Sequence, residues 1–138
     1  MEYDLHNSVL QAVALSITDG AITSNTTTVG AVIDTLGFES LEFIVEAGTL
    51  TDGDYDVVLQ EDDTVGFASP TTISSELVLG ALPSFAFASG ADSAQRVGTI
   101  AKERFIRLSV VSTNVTTGGG LSAVAVLSNP HTSPTAAA

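Results

Sequence analysis

Leu41, Phe43 and Val45 alternate with Glu42, Ile44 and Glu46, which sets large apolar groups on one side of an extended chain and both acids on the other. That period of two constrains the fold more than any other feature, because only a half-buried β-strand uses it. It recurs after a turn signal. Thr51-Asp52-Gly53-Asp54 supplies turn chemistry, and Tyr55, Val57 and Leu59 then alternate with Asp54, Asp56 and Gln60, so the two runs read as a hairpin. Further strands are expected at 28–34, 72–79, 95–101, 103–112 and 121–128, bounded by Gly37, Pro70, Gly80, Pro83, Gly90 and the glycines at 118–120. One more falls within 9–17. Residues 8–15 have the Ala, Leu and Gln content of a short helix, but their Thr-rich, β-branched neighbours favour extended chain. About eight strands at this spacing predict an all-β sandwich or barrel.

The 138 residues are expected to form a single domain over 1–138, with an extended N-terminal segment at 1–28 and a flexible tail at 129–138. A chain of this length removes roughly 68% of its unfolded surface from water, enough for a self-sufficient core. Sixteen carboxylates against four basic groups give a formal net charge of -12. Nucleic acid and anionic membrane surfaces are therefore not expected as partners, since both draw on a positive field. The start of the chain carries two acids and no Lys or Arg, the wrong sign for a secretory signal, so a soluble product made in a cytoplasm is expected. There is no cysteine, hence no disulfide and no thiolate chemistry.

No catalytic constellation stands out. His6 and His131 lie near opposite ends, and neither sits in a Ser-His-Asp or Gly-x-Ser-x-Gly setting. Two histidines do not make a zinc site. The acids from Asp52 to Asp63 imitate a calcium loop, yet its sixth and twelfth places hold Val57 and Asp63 where Gly and Glu are required. Asp54 and Asp56 read instead as the outward face of a strand, with a weak Ca²⁺ site at Asp62 and Asp63 as the minority reading. The triple glycine lacks the Lys-Ser/Thr ending of a phosphate loop and reads as a turn. No cofactor and no enzymatic activity are expected.

All four basic side chains, Arg96, Lys102, Arg104 and Arg107, lie in one short window. In it Ile106, Leu108 and Val110 share one strand face, and Phe105, Arg107, Ser109 and Val111 the other, so Arg107 should leave the core. These cations either pair with acids of their own fold or meet acidic groups of a sister subunit or partner. They are the candidate interface residues.

The order of elements resembles the small cement or decoration proteins of tailed bacteriophages, particularly the jelly-roll kind. It is carried by Val32-Ile33-Asp34-Thr35-Leu36-Gly37, Leu41-Glu42-Phe43-Ile44-Val45, Thr51-Asp52-Gly53-Asp54-Tyr55, Leu59-Gln60-Glu61-Asp62-Asp63 leading to Gly66-Phe67-Ala68, Arg104-Phe105-Ile106-Arg107-Leu108, and the final Gly-rich turn and strand. The resemblance spans roughly two-thirds of the chain. It implies a jelly roll, or another small β-barrel or β-tulip decoration fold. It further implies a homo-oligomer, dimer or trimer, on the outer surface of the virion head, bound to the major capsid protein and without a catalytic site. The competing class is a carbohydrate-binding or adhesin-like β-sandwich, which the lack of Trp and the two tyrosines weaken. A hydrolase on the same scaffold ranks last, for want of a nucleophile and base.

Overall fold

A computed structural model describes residues 5–100 and 103–131. The chain is all-β, with eleven strands: β1 (Val9–Leu15), β2 (Ala21–Ile22), β3 (Thr27–Asp34), β4 (Phe38–Leu50), β5 (Asp54–Asp62), β6 (Thr71–Thr72), β7 (Val78–Leu79), β8 (Ser84–Ala86), β9 (Ser93–Thr99), β10 (Phe105–Thr113) and β11 (Gly119–Pro130). A 3-10 turn, Ser75–Leu77, precedes β7. Two antiparallel sheets pack face to face as a sandwich. The first sheet runs β1-β11-β4-β9-β7, with β2 also on β11; the second runs β3-β10-β5-β6, with β8 also on β5.

The inward faces are those the alternation marked. Phe43 and Val45 of β4, Tyr55, Val57 and Leu59 of β5, and Leu108 and Val110 of β10 are all buried, as are Leu121, Ala123, Ala125 and Leu127 of β11. Their outward neighbours Ile44, Glu46 and Asp56 are exposed. Small residues on β11 and Val on β4 let the larger rings of Phe43, Tyr55 and Phe85 fill the gap between sheets, which stack about 10 Å apart. On one flank β1 lies against β3. On the other, the Gln95 amide of β9 acts like a peptide group: its Nε2 donates to Ser84 O at 2.8 Å and its Oε1 accepts from Ser84 N at 3.3 Å, closing the edge between the sheets.

Two sequence expectations fail for one reason: the chain changes sheets where a hairpin or a continuous strand was expected. β4 and β5 are not a hairpin, because β4 pairs with β11 and β9 whereas β5 pairs with β10. The turn between them crosses the sandwich. Gly53, at φ 92°, turns the chain inward, and the Tyr55 hydroxyl donates to Asp52 O at 2.7 Å. Likewise 72–79 is not one strand. β6 belongs to the second sheet and β7 to the first, with the exposed Ser74, Ser75 and Glu76 carrying the chain across.

The expected strand within 9–17 is β1, not a helix, because its partner β11 supplies the ladder. The C-terminal expectation is corrected in part: β11 continues to Pro130, which pairs with Phe38, and His131 N donates to Gly37 O at 2.8 Å. Residues 1–4, 101–102 and 132–138, Lys102 among them, lie outside the described residues.

Phe43 is fully buried between the sheets, so Phe43→Ala is expected to cost roughly 3 to 5 kcal/mol in denaturant unfolding. Glu42→Ala, on the other face of the same strand, should change stability by about 0.5 kcal/mol or less. Equal losses would show the faces to be misassigned.

Candidate binding surface

The basic window does not form one surface. β9 lies in the first sheet and β10 in the second, so Arg96 faces outward on one side of the sandwich while Arg104 and Arg107 lie on the other. Arg104 is engaged within the chain: its Nε and Nη2 donate to Asp34 Oδ1 and Oδ2 at 2.8 and 2.7 Å, a bidentate pair with both side chains 46% exposed. The pair holds the Asp34 carboxyl below its usual range and raises Arg104. The guanidinium also stands 4.8 Å from the centre of the Phe105 ring.

Arg107 leaves the core as its position in the alternation requires, yet it is only partly exposed. The Phe67 ring, itself buried, covers it at 4.4 Å, and Arg107 Nη2 donates to Gln60 Oε1 at 2.7 Å. Arg107 Nε and, two residues on, Ser109 Oγ are buried without a hydrogen-bond partner among the described residues. Sequence reasoning missed the cover, because Phe67 belongs to a loop. Asp62 builds that loop by accepting from Thr64 N, Thr64 Oγ1 and Ser69 N at 3.0, 3.2 and 2.9 Å, which holds its carboxyl below the usual range. Phe67 is set over Arg107 at φ 53°, a conformation rare for an aromatic residue.

Arg96 is therefore the described cation that makes neither an ion pair nor a side-chain hydrogen bond among the described residues. Its cross-strand partner is Ile44, which pairs with Val124, which pairs with Val13. The three aliphatics are 44%, 41% and 59% exposed and form one row across β4, β11 and β1. The next row holds Gln11, Val126, Glu42 and Gly98, ending at the exposed Leu79. The outer face of the second sheet is different. It carries Asp34, Asp54, Asp56 and Asp62, with Ser84 Oγ donating to Asp56 and Asn114 Nδ2 to Asp54. Asp54 and Asp56 are thus the outward strand residues expected from sequence.

Asp52 has a structural task. It accepts from the N–H groups of Thr116, Thr117 and Gly118 at 3.1, 2.9 and 2.9 Å and from the Thr116 hydroxyl, and these bonds hold its carboxyl at about 2. At Glu103 the balance is opposite: partial desolvation, then the charges of Asp63, Glu61 and Asp62, push its carboxyl up. No group of three or more His, Asp or Glu is placed to hold a metal among the described residues. An open cleft of about 480 Å³ at one end of the sandwich is lined by Leu36, Ile100, Glu103, Arg104 and His131, and there His131 Nε2 contacts Glu39. No described helix is long and apolar enough to cross a membrane. No family model matches the chain, and no curated protein is detectably similar to it in sequence.

Because the folded Asp52 carboxyl titrates near 2 against an ordinary 3.8, its contribution is present above the ordinary value and is lost as pH falls through about 2. Thermal melts should show Asp52→Asn less stable than the parent at neutral pH, with the gap narrowing between about pH 4 and pH 2. A constant gap would remove the carboxylate's charge from the account. Glu103 has the reverse sign: its raised value makes ionisation unfavourable in the fold above about 4.5. Glu103→Gln should accordingly raise the melting midpoint at pH 7 and low salt, with the advantage shrinking as salt screens the repulsion. A lowered midpoint would mean that Glu103 is held by a favourable contact.

Proposed function

We propose that this chain is a virion structural protein, a decoration protein that binds the outside of a phage head and reinforces contacts between major capsid protein subunits. The observation that carries the reading is the strand order. Setting aside the short β2 and β7, the first sheet runs β1-β11-β4-β9 and the second β3-β10-β5 followed by β6 and β8, and the chain passes between them at nearly every connection. This supports a jelly roll, two interlocked Greek keys, which is the fold the sequence resemblance implies.

The distribution of chemistry supports a protein that acts through its surface. Among the described residues no group of three or more His, Asp or Glu is placed to hold a metal, and the polar networks at Asp52 and Asp62 serve turns. A sugar-binding platform is disfavoured because, among the described residues, Phe87 is the one exposed aromatic side chain, and Tyr55 is fully buried. Attachment through modest contacts suffices on a head, since a lattice presents many equivalent sites and an oligomer engages several at once.

Co-sedimentation with undecorated heads of the phage that encodes it, followed by thermal melting of the heads, measures both parts. Saturable binding with a higher head melting midpoint is the expected outcome. Absence of binding at micromolar protein, with the subunit folded, would overturn the assignment.

A further inference from the structure

We infer that the outer face of the first sheet is the surface through which two copies of this chain meet, centred on the row Val13, Val124, Ile44 and Arg96. The inference adds a contact to the proposed function and stands on the face itself. Three β-branched aliphatics in one register row, each at least 41% exposed, lie side by side on three neighbouring strands, with Val126 and Leu79 in the next row. At a strand spacing of about 4.8 Å, the row from Val13 to Arg96 crosses four strands in roughly 14 Å. No loop or aromatic side chain of the kind that covers Arg107 on the other sheet accompanies this row among the described residues.

Charge identifies the occupant. Arg96 ends the row, and the two acids on this stretch of the face, Glu42 and Glu46, flank its cross-strand partner Ile44. A methyl group on Gly98 would meet Glu42 Oε2 at 2.5 Å, so the bare glycine leaves room for this carboxylate over β9, two residues from Arg96. The patch thus carries both signs around an apolar centre. A partner offering only acid would answer Arg96 but oppose Glu42 and Glu46, whereas a partner offering only base would oppose Arg96. The surface that carries the same two signs at the same spacing is this face on a second copy, and a two-fold contact makes each pairing twice. The second sheet's outer face is less suited to meet a copy of itself: its Arg104 is already paired with Asp34, Asp62 is buried in its own loop, and the acids left outermost, Asp54 and Asp56, would face their like on a molecule of net charge -12.

Sedimentation velocity of the full chain between roughly 1 μM and 1 mM tests this, the range in which a modest interface associates. The expected result is a monomer–dimer equilibrium that strengthens with added salt, because screening relieves the repulsion between two acidic subunits. Ile44→Glu should abolish the dimer, and Arg96→Glu should weaken it about tenfold. Combining Arg96→Glu with Glu46→Arg should restore it, while Val29→Glu on the second sheet should leave it unchanged. Circular dichroism and melting confirm that each variant folds; should Ile44→Glu fail to fold, the Arg96 and Glu46 exchange decides. A monomer throughout, a closed trimer, or a dimer indifferent to the exchange would overturn the inference. A monomer that still binds heads would overturn only this inference, whereas a dimer that ignores heads would support it and remove the decoration function.

Discussion

The Asp52 carboxylate is the interaction on which the connections of this sandwich depend. A two-sheet fold in which the chain keeps changing sheets must turn through the thickness of the molecule several times, and each crossing leaves backbone groups without a ladder partner. Here one carboxylate satisfies three of them, the N–H groups from Thr116 to Gly118, and so fastens the β10–β11 crossing to the β4–β5 crossing. Thr51 N donates to Gly118 O beside it. The β2–β3 connection joins the same end through Asn25 Oδ1, which accepts from Val115 N, and through the buried Ser112 hydroxyl shared between Ser24 and Thr26. Phe87 N, from the segment between β8 and β9, reaches Gly53 O. Four crossings meet at one end, and the donors the fold supplies keep the acid there ionised to lower pH than an ordinary aspartate.

The two outer faces divide the work that composition leaves unassigned. On the second sheet the polar groups answer one another: Arg104 grips Asp34, Asp56 and Asp54 take hydrogen bonds from Ser84 and Asn114, and Asp62 closes the loop that seats Phe67 on Arg107. Such pairs add little stability while exposed, but they leave little unspent polarity for a partner. The first sheet has the opposite character. Its outer face mixes aliphatics with a cation and acids that make no ion pair among the described residues.

Much of the core was legible in the alternation. Leu41, Phe43 and Val45, then Tyr55, Val57 and Leu59, then Ile106, Leu108 and Val110 all face inward as their spacing requires, since a strand has only two faces and water selects between them. Of the candidate residues, the charge of Arg104 pointed correctly to an ion-pair partner among the acids. What could not be read was which carboxylate: Asp34 lies 70 positions away and is brought to Arg104 by the pairing of β3 with β10. The cover over Arg107 was equally hidden, because a loop aromatic has no periodicity to betray its destination.

The sequence by itself marked the long strands and the apolar face of each, because those depend on side-chain chemistry and local backbone geometry, whereas the short β2 and β8 and the break between β6 and β7 depend on which sheet the chain joins. Only the tertiary structure decided which strands are neighbours. The turn at Thr51-Asp52-Gly53-Asp54 is compatible with a hairpin or with a crossing, and the choice rests on groups some 65 residues further on that bind Asp52. For the same reason the four clustered cations suggested one patch, and the fold placed Arg96 on one face of the sandwich with Arg104 and Arg107 on the other: closeness along a β chain does not survive a change of sheet.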